Sequence, residues 1–230
     1  MTAAAILLAG GAGTRSGSAL NKVYVQVLGR PLLAYPLETL DLSPSVRAIA
    51  LVIRPEDRDL ADAVVSNVVR HTEVEIVDGG ATRQMSEMCG LEAFAREIDA
   101  FSCVAIHDAA RAFLSLTMLE SAIETADRVG GAIPGYVPET TLFRMNDGVL
   151  EPLEEVLAVQ TPQCFRSAPL LAAYRAARAA GFEGVDTAET VERFSDLTIA
   201  VVPGDPRAFK ITFAGDFEAP DCLHQVAYFR

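Results

Sequence analysis

Ala3-Ala4-Ala5-Ile6-Leu7-Leu8-Ala9, followed at once by Gly10-Gly11-Ala12-Gly13-Thr14-Arg15-Ser16-Gly17, decides how this chain is organised. Seven apolar residues without polar alternation suit a strand whose sheet is covered on both faces, and the glycines end it. Working outward, comparable runs recur at 46–53, 74–77, 103–106 and 198–202, with helix-like stretches at 31–40, 56–70, 83–97, 116–129 and 169–180. This alternation predicts an α/β, Rossmann-like fold with a mostly parallel sheet built from right-handed βαβ units. Ligands of such sheets bind beyond the carboxyl ends of the strands, which places the Gly10 loop, the Gly79-Gly80 turn and His107-Asp108 on one rim.

From 134 to 160 the alternation weakens. Asn146-Asp147-Gly148 reads as a hairpin turn and Val149 begins a return strand, so the segment is expected to project as a two-stranded β-arm. A partly apolar arm is poorly stable alone and is expected to pack on a second subunit as a dimerisation arm. No linker or repeat divides the chain, so 1–230 is expected to be one domain.

The 230 residues are half apolar and carry a formal charge of −12, which argues against a nucleic-acid partner. No run is long and apolar enough for a membrane helix, and the first ten residues lack a signal-peptide pattern, so a cytoplasmic protein is expected. Cys89, Cys103, Cys164 and Cys222 are widely and irregularly spaced, as suits reduced thiols. Of nineteen bases only Lys22 and Lys210 are lysine. One follows the glycine loop and the other lies in the apolar segment Ala208-Phe209-Lys210-Ile211-Thr212, where a compact ammonium makes point contacts to phosphate.

Successive glycines let backbone N–H groups turn toward a triphosphate, with Arg15 and Lys22 neutralising its charge. A dinucleotide fingerprint fails because Ser16 stands where it needs glycine, and the Gly-Lys-Ser/Thr of a P-loop is absent. An ordinary strand-to-helix turn is the alternative. Asp78-Gly79-Gly80-Ala81-Thr82-Arg83-Gln84-Met85-Ser86 offers N–H groups and the Ser86 hydroxyl to the edge of a base, or serves only as a turn. In Val104-Ala105-Ile106-His107-Asp108-Ala109-Ala110-Arg111, Asp108 is placed to coordinate Mg²⁺ or bond a ribose and Arg111 to hold an anionic co-substrate. Against this stands an Asp108–Arg111 structural ion pair, while His107 reads as a core histidine.

With these clusters in order, the chain resembles the 2-C-methyl-D-erythritol 4-phosphate cytidylyltransferase family, over nearly its whole length. The likeness extends through Val137-Pro138-Glu139-Thr140-Thr141, Gln160-Thr161-Pro162-Gln163-Cys164-Phe165, Val185-Asp186-Thr187-Ala188 and Gly204-Asp205-Pro206-Arg207-Ala208-Phe209-Lys210-Ile211-Thr212. The resemblance implies a homodimeric enzyme of the nucleotide-diphospho-sugar transferase type, transferring CMP from CTP to a polyol phosphate with Mg²⁺ and releasing pyrophosphate. It implies nucleotide contacts from Ala9, Gly10, Gly11, Gly13, Gly80, Ala81, Ser86 and Asp108. Catalytic charge is implied for Arg15, Lys22 and Lys210, acceptor contacts for Arg111 and Thr140, and Asp108 is the candidate for the metal.

The departures fall on the acceptor side. The arginine and lysine that the family carries on its arm correspond to Leu153 and Leu142; Val185, Ala112 and Ala208 replace a threonine, a proline and an asparagine. These positions leave open another acceptor, such as ribitol phosphate or a phosphonate, and a nucleotide-binding paralogue without turnover. Retention of Lys22, Asp108 and Lys210 speaks against the paralogue.

Overall fold

The computed structural model describes residues 1–11 and 21–217. Gly13 and Arg15, both expected to serve the nucleotide, lie outside the described residues, as does Cys222.

β1 (Ala3–Leu8) leads through the glycine loop to a short hairpin of β2 (Gln26–Val27) and β3 (Arg30–Pro31), and then to α1 (Ala34–Leu42). Next come β4 (Val46–Ile53), α2 (Arg58–Val68), β5 (Glu73–Asp78), α3 (Arg83–Ala93), β6 (Cys103–Asp108), α4 (Leu116–Val129) and β7 (Gly130–Tyr136). The arm hairpin, β8 (Phe143–Asn146) and β9 (Val149–Pro152), is followed by β10 (Ala158–Val159), β11 (Gln163–Arg166), α5 (Ser167–Ala179), α6 (Thr187–Phe194) and β12 (Thr198–Pro203).

Eight strands form one sheet in the order β10-β7-β11-β6-β1-β4-β5, with β12 also pairing β7. β1, β4, β5 and β6 are parallel, and so are β7 and β12; β10 and β11 run antiparallel to their neighbours. The sheet is thus mixed but mostly parallel.

The unbroken apolar runs have a direct cause. Successive strand residues point to opposite faces, and both faces of this sheet are covered. Ala3, Ala5 and Leu7 pack with Leu37, Leu40, Leu119 and Ile123 of α1 and α4. Ala4 and Ile6 pack with Leu91, Leu170, Tyr174 and Val191 of α3, α5 and α6. α3 crosses β1 so closely at Gly90 that an added Cβ would lie 2.7 Å from Ile6 Cγ2. A side chain there would have to displace Ile6 or the helix itself.

Within the range expected for the arm, Pro134–Tyr136 belongs to β7 and Ala158-Val159 to β10, so the free-standing hairpin is shorter. Asp147 and Gly148 have φ of 47° and 81°, the left-handed pair that a tight two-residue hairpin turn requires. Cross-strand register pairs Met145 with Leu150 and Phe143 with Pro152, gathering apolar side chains on one face. Phe143, Met145 and Leu150 are 51%, 73% and 61% exposed, so that face lacks cover from the described residues.

Candidate active site

Beyond the carboxyl ends of β1, β5 and β6 lies a cavity of about 440 Å³. Its described lining includes Ala9, Gly10, Gly11, Lys22, Gly80, Ala81, Ser86, Asp108 and Lys210, all singled out in the sequence, together with Asn21, Arg83 and Thr212. Residues from four separate stretches of chain therefore converge on one space, as the rule for open α/β sheets requires.

The glycine loop is closed at its base by one side chain. Asn21 Nδ2 donates to the Ala9 carbonyl and to Asp57 Oδ2, both at 2.8 Å. Arg54 in turn grips Asp57 with two hydrogen bonds of 2.8 Å. This buried pairing fixes both ends of the loop and the backbone immediately before Lys22.

On the opposite wall, the Gly79-Gly80 turn folds back onto α3. A Cβ on Gly80 would sit 2.4 Å from Met85 Cβ, so glycine is required there by the close approach. Thr82 caps α3 by accepting from Met85 N–H at 3.2 Å. The Ser86 hydroxyl accepts from Gly80 N–H at 3.1 Å and donates to the Thr82 carbonyl at 2.9 Å. Ser86 thus braces the turn from within, leaving Ala81 on its exposed crest.

Asp108 ends β6 with its side chain only 11% exposed. Lys210 Nζ donates to Oδ2 at 2.7 Å and Arg83 Nη2 to Oδ1 at 3.2 Å. Burial alone would push this carboxyl up; the charges of Arg83 and Lys210 overturn that and hold it well below the usual carboxylate range. The ion pair expected as the alternative, Asp108 with Arg111, is not what forms. Arg111 instead turns its guanidinium to the carbonyls of Ala208, at 3.1 Å, and Val159, at 3.4 Å. It stands outside the cavity lining, toward the root of the arm, and Thr140 lies on the arm itself.

His107 is fully buried, and burial pushes its imidazole down to about 4, so it is neutral. The Arg111 carbonyl, 3.0 Å from Nε2, can only accept, so Nε2 carries the proton. Nδ1 then accepts from the Thr161 hydroxyl at 2.9 Å, and Thr161 Oγ1 accepts from Asp108 N–H at 3.1 Å. The core-histidine reading is thereby met with a specific task, fixing the backbone on both sides of Asp108. Next to Thr161, Gln160 donates to the carbonyls of Asp205 and Ala208 at 2.7 and 3.1 Å, anchoring the segment that carries Lys210.

Arg83 was quoted in the sequence but given no role. Its partner Asp108 is distant along the chain, and among so many arginines nothing in its type marked it out.

A glycine-lined cavity at the strand ends, two lysines and one carboxylate on its described walls, and helices on both faces define a nucleotidyltransferase-type α/β enzyme. The family model for 2-C-methyl-D-erythritol 4-phosphate cytidylyltransferase matches residues 3–224. The chain belongs to that family, whose members are CTP-dependent cytidylyltransferases of isoprenoid synthesis. It is 34% identical over 230 residues to the 2-C-methyl-D-erythritol 4-phosphate cytidylyltransferase of Cereibacter sphaeroides, covering 99% of each chain. It is 37% identical over 222 residues to the bifunctional enzyme IspD/IspF of Rhizorhabdus wittichii, where 95% of this chain spans 55% of that enzyme. The crystal structure of 4-diphosphocytidyl-2C-methyl-D-erythritol synthase from Anaerococcus prevotii superposes with a TM-score of 0.84 at 26% identity, covering 99% of this chain and 96% of that one.

No helix among the described residues is long and apolar enough to cross a membrane. Cys89, Cys103 and Cys164 are free thiols, as expected.

Proposed function

We propose that the cavity holds CTP and that this protein transfers its cytidylyl group to 2-C-methyl-D-erythritol 4-phosphate in the cytoplasm. The observation that carries this reading is the convergence of Gly10, Gly11, Lys22, Gly80, Ala81, Asp108 and Lys210 on one cavity at the strand ends. In the reaction, an oxygen of the acceptor phosphate attacks the α-phosphorus in line. The new P–O bond forms as the bond to the bridging oxygen of the β-phosphate breaks, and pyrophosphate leaves with that electron pair. A phosphate monoester is already a nucleophilic anion, so the protein's work is positioning and charge stabilisation. Lys22 and Lys210 supply the charge, Arg15 being the further candidate. Asp108 parks Lys210 until the triphosphate offers competing anions.

Mg²⁺ fits this donor set in a limited way. Among the described residues no three His, Cys, Asp or Glu side chains converge, and Asp108 is the one carboxylate lining the cavity. That suits an ion held by one carboxylate, substrate phosphates and water rather than by a protein cage. Asp108 would hold it, and it would supply neutralising charge on the phosphates.

The uncovered face of the arm hairpin supports a homodimer built through the arm. A second reading, with another acceptor, is favoured by one observation. The groove of about 570 Å³ at the arm is lined by Thr140, Leu142, Leu153 and Leu157 with Glu139 and Glu155, and no base lines it among the described residues. Acceptor phosphate then relies on Arg111 and Thr140, a weaker grip than a charged arm contact by about 1.5–3 kcal/mol per lost hydrogen bond.

Pyrophosphate release from each of the four nucleoside triphosphates, with methylerythritol, ribitol and phosphonate acceptors, tests both readings. CTP with methylerythritol phosphate is the expected pair. Release with ATP or GTP but not CTP would sink the base assignment; no release with any acceptor would leave the binding-only paralogue. Lys22→Ala and Lys210→Ala are each expected to lower kcat by orders of magnitude in a folded protein, and near-normal rates in both would refute their roles.

A further inference from the structure

Behind Arg83 stands a carboxylate that the mechanism above does not use. Glu87, one turn along α3, is 1% exposed. Its Oε1 accepts from the Thr187 hydroxyl at 2.9 Å and its Oε2 from the Tyr174 hydroxyl at 2.6 Å. Its ion-pair partner is Arg83, whose Nη2 lies 3.3 Å from Oε1 and 3.2 Å from Asp108 Oδ1. One nitrogen thus stands between a buried carboxylate in the helix layer, which it approaches as an ion pair, and the carboxylate of the active site, to which it donates a hydrogen bond.

We propose that Glu87 is a positioning residue, tethering Arg83 to α3 so that Arg83 keeps hold of Asp108 when Lys210 leaves it for the phosphates. This rests on the cytidylyltransferase reading above.

The argument starts from competition for charge. The Arg83 side chain is 31% exposed and borders the cavity, so an incoming triphosphate attracts it. If Arg83 swung to the phosphates, Lys210 would be the one side chain left pairing Asp108, and a carboxylate this buried is costly to leave without one. Lys210 would then be withheld from the charge that develops in the transition state. A second carboxylate behind Arg83 opposes that swing.

The surroundings of Glu87 are built for it. Burial pushes its pKa up, with Asp108 adding to the rise, and Arg83, Tyr174 and Thr187 oppose that without cancelling it, so the carboxyl stays above its ordinary value. Those partners come from three different helices, α3, α5 and α6. An apolar residue at this place would pack in the same layer without needing any of them, and buried ion pairs replaced by apolar groups often gain stability. What an apolar residue could not do is hold Arg83.

The expected signature is a split between binding and turnover. In Glu87→Gln, kcat falls tenfold or more, while CTP affinity by calorimetry is unchanged or tighter because Arg83 now reaches the phosphates, and the acceptor KM stays put. The double variant Glu87→Gln/Arg83→Gln is expected to be no slower than Arg83→Gln alone. Tyr174→Phe removes one donor and should lower kcat less, in the same parameter. Where Glu87→Gln does not fold, the cycle is run with Tyr174→Phe and Arg83→Gln under the same criterion. Wild-type kcat in Glu87→Gln, weakened CTP binding in step with kcat, or losses that add to those of Arg83→Gln would overturn the proposal. Wild-type turnover with CTP, measured alongside, tests the underlying reading separately, since its absence would count against that reading and not against Glu87 in particular.

Discussion

Thr161→Val is nearly isosteric and removes one hydroxyl from the centre of the site. That oxygen serves two buried groups at once, the Asp108 N–H at 3.1 Å and His107 Nδ1 at 2.9 Å. Thr161 is 4% exposed and His107 0%, so water has little access to replace it. Each orphaned group costs about 1–3 kcal/mol, giving a loss of about 2–6 kcal/mol for the pair. For a chain of this length, at about 2–4 °C per kcal/mol, that lowers Tm by roughly 4–24 °C. Thr161→Ser keeps the hydroxyl and gives up one buried methyl, at about 1 kcal/mol. Urea unfolding of both variants isolates the hydrogen bonds from the packing. Activity should fall with stability in the valine variant only. The freed backbone lets Asp108 drift, and misplacement of about 1 Å at a reacting centre costs on the order of 10²-fold. If valine and serine variants unfold within about 0.5 kcal/mol of one another, the relay from His107 through Thr161 to Asp108 holds nothing and the argument fails.

Two further outcomes concern His107 and the arm. Burial holds His107 at about 4 in the folded protein, below its ordinary 6.5, so the unfolded chain takes up a proton that the folded one refuses. Its contribution is intact above pH 6.5 and is lost as pH falls through 4, about 3 kcal/mol in all at 1.36 kcal/mol per pH unit. Urea midpoints between pH 7 and 4.5 should therefore decline more steeply in the wild type than in His107→Gln; equal slopes would exclude His107 as the source. Met145→Glu with Leu150→Glu places charge on the exposed apolar face of the arm, and sedimentation should show a folded monomer in place of a dimer. A wild-type protein that is itself monomeric and fully active would dispose of the arm as an interface.

The central strands were legible because burial on both faces leaves a signature that no surface segment imitates. β4 and α4 begin and end where the pattern put them. β7 was missed for a physical reason. Its sequence, Gly130-Gly131-Ala132-Ile133-Pro134-Gly135-Tyr136, carries three glycines and a proline, which argue against a strand. Gly131 is there because the Phe165 ring from β11 would lie 2.6 Å from any Cβ. That requirement is long-range and invisible locally. β11 was missed because a four-residue antiparallel strand does not fit a pattern read as parallel. α6, by contrast, had a readable start that went unused. Asp186 accepts from Glu189 N–H at 2.9 Å while Glu189 accepts from Val185 N–H at 2.7 Å, a capping arrangement spelled out by the spacing.

The active site divides along the same line. Lys22 and Lys210 stood out because lysine is rare in this chain, and the cavity gathers both. Arg83 escaped because arginine is common here, and what distinguishes it is a pair of carboxylates brought to it by folding. Glu87 is the extreme case. Read in sequence it is one more charged residue of an amphipathic helix, facing solvent by default. Only the convergence of Tyr174 and Thr187 from two other helices turns it inward, and only the sharing of one Arg83 nitrogen with Asp108 connects it to the phosphates. Residues that touch a ligand tend to announce themselves by type and by glycine-rich context. Those that hold such residues in place are chosen by tertiary contacts, so in this protein they become visible when the side chains are followed outward from Asp108.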